Sequence, residues 1–126
     1  GLTVAMASAN EFNPNGDVWV FKWDGTQWTE QFHVSSVNNN QQFGVSLSLT
    51  ADGNLMAVGK SMSGAHMNGQ IYIYRRSGTS WAQETTLTVN GSALLGRSVQ
   101  LRADGLQLVA ADTVLCTLGI TRTDGP

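Results

Sequence analysis

Few residues of this chain have the types and spacing that catalysis or metal binding requires. His33 and His66 each stand alone, without a second histidine, cysteine or carboxylate at the spacing of a metal site. Cys116 is the single cysteine, which excludes an internal disulfide, and its apolar neighbours in the sequence indicate a buried thiol. Neither a Gly-x-Ser-x-Gly nor a His-Glu-x-x-His motif is present. We therefore expect a protein that is not an enzyme and needs no cofactor.

Calcium is the metal that the acidic residues could suggest. It takes six to eight oxygen ligands, often from several carboxylates of one loop. Asp52-Gly53 and Asp104-Gly105 each supply one carboxylate, so we interpret both as plain hairpin turns without a metal. A second group of oxygen-bearing side chains is interpreted as a turn-forming loop, with a weak calcium site as the alternative: Asn10, Glu11, Asn13, Asn15 and Asp17.

The sequence segments that would position these residues are repeated along the chain. Residues 16–21 (GDVWVF) align with residues 69–74 (GQIYIY) at an offset of 53. The same offset places Trp28 on Trp81 and Leu2 on Leu55.

A second pair of segments repeats at nearly the same distance. Residues 43–49 (FGVSLSL) align with residues 95–101 (LGRSVQL) at an offset of 52, which also places one Asp-Gly turn on the other. A period near 50 with strand-like content is typical of propeller blades or a similar array.

Apolar residues alternate with polar ones at a period of two, which predicts β-strands and no helix of useful length. The segment 70–75 is apolar on both faces, as in a strand that lies between two layers. Ten strands are predicted, in groups of three, four and three: residues 2–7, 18–23 and 28–34, then 43–50, 55–59, 70–75 and 81–89, then 95–101, 106–111 and 113–120.

Residues 43–47 (FGVSL) and 52–59 (DGNLMAVG), followed by 69–74 with Gly78 and Trp81, resemble the FG-GAP repeat of integrin α-chain propellers. The resemblance implies an all-β fold of about two and a half four-stranded antiparallel propeller blades. Such propellers usually close into rings of blades and act in adhesion or ligand binding, and some are lectins. The last repeat departs from the pattern, with a Leu-Gly pair for Phe-Gly and a shorter loop before its third strand.

On this interpretation residues 1–126 form one partial β-propeller. It consists of an incomplete blade at 1–42, a complete blade at 43–94 and an incomplete blade at 95–126. Two and a half blades cannot close a ring and hide their edges. The expected partners are therefore other blades of the same longer chain, or identical chains that form a ring or a filament.

Two residues are candidates for surface functions. Trp23 has no aromatic counterpart in the repeat, since Arg76 takes its place, so it is a candidate contact for a sugar or a neighbouring chain. Asn90 begins the only N-glycosylation sequon, Asn-Gly-Ser, just after a predicted strand, and is a candidate glycosylation site. The repeated tryptophans Trp28 and Trp81 are interpreted as packing residues.

Composition narrows the class of function. Charged residues make up 13% of the chain, about half the usual share, and the net charge is −2 with no basic cluster, so nucleic acid is not an expected partner. No apolar run approaches the length of a membrane span. The neutral polar surface favours an extracellular protein.

We expect an extracellular, non-catalytic interaction or adhesion module that binds a protein or a glycan. A structural subunit of a ring or filament and a lectin-like carbohydrate binder are the alternatives.

Overall fold

The computed structural model describes residues 2–10, 13–35, 41–62, 69–88, 96–111 and 115–118. Within these ranges the chain is all β and forms ten strands, as the sequence predicts. The strands are β1 Thr3–Asn10, β2 Asn13–Trp23, β3 Trp28–Ser35, β4 Gln41–Leu49, β5 Leu55–Met62, β6 Gln70–Ser77, β7 Ser80–Thr88, β8 Ser98–Leu101, β9 Leu108–Ala111 and β10 Leu115–Leu118.

Consecutive strands pair antiparallel and form three meanders. The first meander contains β1, β2 and β3, the middle meander contains β4 to β7, and the last meander contains β8, β9 and β10. A single parallel pair, Asn15 with Gln41, joins the first and middle meanders, and the last meander forms a separate sheet. None of the sheets closes on itself. The antiparallel all-β class is thereby confirmed.

The segment predicted to be a turn-forming loop is mostly strand. β1 continues to Asn10 and β2 begins at Asn13, and these two residues are paired across the hairpin. Asn15 and Asp17 also lie in β2, so the loop prediction is wrong for them. The register of this hairpin shifts between Ser8 and Asn10, where a β-bulge or similar irregularity interrupts the ladder.

The middle meander lies between the other two. One side of it packs on the first meander through a cluster made by Val18, Val20, Phe43, Met56, Val58, Tyr74 and Trp81. The opposite side packs on the last meander through a second cluster made by Leu55, Ala57, Ile71, Ile73, Val99, Leu101, Leu108 and Ala110. Burial on both faces explains the unbroken run of apolar and aromatic residues at 71–74 of β6, which the sequence predicts.

Both boundaries between meanders are built around a glycine with positive φ. Gly44, with φ of 88°, lies against Ala7 and Val18 of the first meander. Gly96, with φ of 92°, lies against the backbone of Lys60 and Gln70 in the middle meander. Gly44 and Gly96 are repeat-related, and each also lies near the carbonyl oxygen of an equivalent residue, Asp17 or Gln70. Only glycine tolerates both this φ and this approach.

The strand pairing corrects one sequence alignment. Val4 pairs with Phe21 as Met56 pairs with Tyr74, so Val4 corresponds to Met56, and Leu2 does not correspond to Leu55. The offset is thus 52 in β1 and 53 in β2, because the connection between the two strands differs in length by one residue. A shift of one residue moves a side chain to the opposite face of a strand. The corrected register therefore decides which residues of β1 face outward.

Candidate functional site

An apolar depression covers the outer face of the first meander. It is lined by Val4 and Met6 of β1, Phe21 of β2 and Trp28 of β3, and its volume is about 410 Å³. Met6 is 52% exposed and Trp28 is 45% exposed, although both are large apolar side chains. Contiguous apolar surface of this kind marks interaction sites more often than isolated apolar residues do. We call these four residues the open face.

The middle meander shows how the same positions look when they are covered. Met56, Val58, Tyr74 and Trp81 correspond to the four residues of the open face, and all four are buried against the first meander. Trp81 is 9% exposed, and its ring stacks on Phe32 with centroids 6.0 Å apart. The open face is therefore the exposed copy of a surface that elsewhere in the chain is buried in a core.

A second depression, of about 430 Å³, adjoins Trp23. Its lining combines this indole with charged, amide and hydroxyl side chains: Lys22, Asp24, Thr29, Glu30, Gln31 and Thr79. Trp23 is partly buried, because its ring tilts against that of Trp28 with centroids 5.4 Å apart. One aromatic plane beside several polar groups is the kind of lining that orients small polar ligands.

The turn beside this depression is held by Asp24. Its Oδ1 accepts hydrogen bonds from the backbone N–H of Thr26 and of Gln27, each at 2.8 Å. The Gln27 backbone N–H, followed by the Thr26 N–H, lowers the pKa of the Asp24 carboxyl below its ordinary value. The arrangement is an Asx-type turn, which fixes the edge of the Trp23 depression.

Asp17, His33 and Ser35 meet on the first meander, although sequence spacing left His33 without a partner. The pairing of β2 with β3 brings them together, and His33 Nε2 lies 3.0 Å from Asp17 Oδ1. The Ser35 hydroxyl donates to the same carboxylate oxygen, and this bond, followed by the one from His33, lowers the pKa of Asp17.

This trio does not have the geometry of a catalytic triad. A triad needs the carboxylate and the serine on different nitrogens of the imidazole ring. Here Nε2 faces both, at 3.0 Å from Asp17 Oδ1 and 3.4 Å from Ser35 Oγ, while Ser35 gives its proton to Asp17. The His33 ring also stacks on Trp19, with centroids 5.0 Å apart. The contacts hold β2 and β3 together.

The two Asp-Gly segments form the predicted hairpin turns. Asp52 accepts hydrogen bonds from the Thr50 hydroxyl at 2.7 Å and from Asn54 N at 2.9 Å, and these lower the pKa of its carboxyl, the Thr50 bond most. Asp104 accepts from the backbone N–H of Leu106 at 3.0 Å. Each carboxylate thus binds its own turn. Among the described residues, no three His, Cys, Asp or Glu side chains cluster as metal ligands.

Lys60 is a buried charge that the sequence analysis did not single out. It is 3% exposed, and its Nζ donates to the Tyr72 hydroxyl at 3.3 Å. Burial lowers the pKa of the Lys60 ammonium. No local sequence pattern predicts that this lysine is buried. Its burial results from the meanders that pack on both sides of the middle meander.

The remaining candidates are placed only in part. Asn90 and His66 lie outside the described residues, so the glycosylation prediction stays a prediction. The backbone at Cys116 pairs with Ala110 within the last meander. In the described part of the chain, no helix has the length and apolarity needed to cross a bilayer.

Comparison with known proteins adds no assignment. A scan against protein-family models finds no match, and a search of the curated proteins finds none either. The resemblance to FG-GAP repeats therefore stays a prediction from the residues.

Proposed function

We propose that this protein is an extracellular, non-catalytic interaction module built from propeller-type blades, which binds protein through the open face. The observation on which the proposal depends is the exposure of Val4, Met6 and Trp28 at positions whose repeat counterparts are buried. Burying large apolar side chains is the main source of affinity in most protein associations. The low charge of the chain supports the extracellular setting.

The proposed blade architecture draws support from the stacking of the meanders. A four-stranded antiparallel meander, β4 to β7, lies between two others, and a repeat-related glycine with positive φ lies at each boundary. Blades of a propeller are four-stranded sheets that stack in this way around an axis. The FG-GAP-like residues fall in this middle meander, and they are the further support for propeller-type blades.

The non-catalytic part of the proposal rests on the polar groups. Asp24, Asp52 and Asp104 bind turn backbone, and the trio around His33 has the wrong geometry for proton relay. The four residues that line the open face are all apolar, so none of them supplies a nucleophile or a base.

Site-specific photo-crosslinking tests the proposal. We would replace Met6 with p-benzoylphenylalanine, which is apolar and fits an exposed position, and irradiate the full chain in an extract of its source organism. The control carries the same group at Ala82, an exposed position of β7 away from the open face. Crosslinks to polypeptide from position 6 but not from position 82 support the proposal, and equal or absent crosslinking at both overturns it.

Carbohydrate binding is a second candidate function, favoured by the Trp23 depression. Sugars combine apolar C–H faces with hydroxyl groups. The indole of Trp23 could contact the former, while Glu30 and Gln31 could hydrogen-bond the latter. On this hypothesis Trp23 is the ligand contact that the sequence analysis named.

A further inference from the structure

Every internal boundary between meanders joins two different kinds of face. We call the face toward the preceding meander the N-side face and the face toward the following meander the C-side face. The first meander packs its C-side face, with Val18 and Val20, on the N-side face of the middle meander. The middle meander packs its own C-side face, with Ile71 and Ile73, on the N-side face of the last meander.

The described chain leaves one face of each kind without a covering meander. The open face is the N-side face of the first meander. At the other end, the C-side face of the last meander contains Val109, which corresponds to the buried Ala57 and is 37% exposed. In the same meander, Leu115 and Thr117 occupy the register positions of Ile71 and Ile73. The two ends therefore present one face of each kind, but the described last meander has no counterpart of β3, the strand that covers Trp81.

We propose that the open face binds the last meander of a second copy of this chain, head to tail. This inference rests on the proposed function and names the partner. The second copy is favoured because it presents a face of the kind that already covers Met56 and Val58 inside the chain. In the complex, Met6 becomes buried as Val58 is, and Val109 becomes buried as Ala57 is.

The geometry of this contact has a consequence for assembly. A contact between two different faces is heterologous, so each added copy presents the same free face again. Association then continues with concentration into a filament, or stops where the rotation between copies closes a ring. A single interface repeated many times is expected in either case.

The test uses the full chain and two variants that each block one end. Met6→Asp places a carboxylate on the open face, and Val109→Asp places one on the C-side face of the last meander. Because an unpaired charge is costly to bury, each should weaken self-association of the chain by about 100-fold. Ala82→Asp adds the same charge at an exposed position outside both faces and should leave association unchanged. Sedimentation velocity over a concentration series measures all four proteins.

Mixing the two blocked variants gives the sharper result. Met6→Asp keeps an intact C-side face and Val109→Asp keeps an intact open face, so the mixture should form a dimer with one interface and nothing larger. Formation of that dimer also shows that both variants are folded. A wild-type chain that stays monomeric, or blocked variants that associate like wild type or fail to pair, overturns the inference.

The crosslinking at position 6 separates this inference from the proposed function. A crosslink from position 6 to the segment around Val109 of another copy supports both. A crosslink from position 6 to a different protein leaves the proposed function standing and overturns the second copy as partner.

Discussion

Trp81 Nε1 donates a hydrogen bond to Gln31 Oε1 at 2.9 Å, across the boundary between the first and middle meanders. Trp28, the repeat counterpart of Trp81, lies 45% exposed at the open face. The same residue type at the same repeat position thus has two environments. Comparing the two tryptophans isolates the contribution of the boundary to the stability of the fold.

Trp81→Phe should therefore destabilise the chain, and Trp28→Phe should not. The first change removes the hydrogen bond to Gln31, which is worth about 1 kcal/mol, and loosens the packing on Phe32. The second change trims an exposed ring, with an expected effect of about 0.5 kcal/mol or less. Urea denaturation at low protein concentration measures both, and equal losses of stability would contradict the role assigned to Trp81.

Gly59 tests the close approach of the middle and last meanders. A Cβ at this position would lie 1.8 Å from the Gly96 carbonyl oxygen and 2.3 Å from Ser46 Oγ. Backbone cannot move away as a flexible side chain can, so Gly59→Ala should cost about 3 kcal/mol or more of unfolding free energy.

Gly78→Ala is the matched control for that change. Gly78 has φ of 62° and no atom within 4 Å of a Cβ, so alanine there should cost about 1 kcal/mol from backbone conformation alone. The two variants compared by urea denaturation separate steric exclusion from conformational strain. If both lost the same stability, the meanders would not be in the contact described.

The sequence predicted the strands well because strand formation depends on local pattern. Alternation of apolar residues and two repeated Asp-Gly turns are enough to give ten strands in groups of three, four and three. The segment around Asn15 shows the limit of this reasoning. Its turn-forming residues predicted a loop, yet pairing with a neighbouring strand made it β-structure. Strand pairing overrides the local secondary-structure preference of a segment. The residues of that segment do not by themselves specify which strand it pairs with, or in which register.

The candidate site was predictable only in part for the same reason. Trp28 was correctly aligned with Trp81, but the face that Val4 and Met6 occupy depends on a one-residue difference in loop length. The contact of His33 with Asp17 joins residues 16 positions apart through antiparallel pairing. No spacing rule identifies such a contact before the register is known.

Lys60 predicts a specific pH dependence. Because burial lowers its pKa in the folded state, the folded protein pays a desolvation cost for the charged lysine at neutral pH. As pH rises from the folded pKa toward the unfolded value of about 10.4, the folded state loses its proton first and stability rises. The stability advantage of Lys60→Met over wild type should thus be largest near neutral pH and shrink as the solution becomes alkaline.

Urea denaturation of both proteins at several pH values measures this difference. A Lys60→Met difference that is constant with pH would show that the ammonium is well solvated.

Trp23→Ala tests the carbohydrate hypothesis. If the Trp23 depression binds sugar, removing the indole eliminates the one aromatic plane among its lining residues, and affinity for an immobilised glycan should fall at least about tenfold. Trp23→Phe keeps an aromatic ring and its contact with Trp28, so it should retain more of the binding. The chain and both variants are compared on an array of immobilised glycans. Unchanged glycan binding by Trp23→Ala would exclude Trp23 as the contact, and the absence of any binding by the wild-type chain would leave the open face as the functional surface.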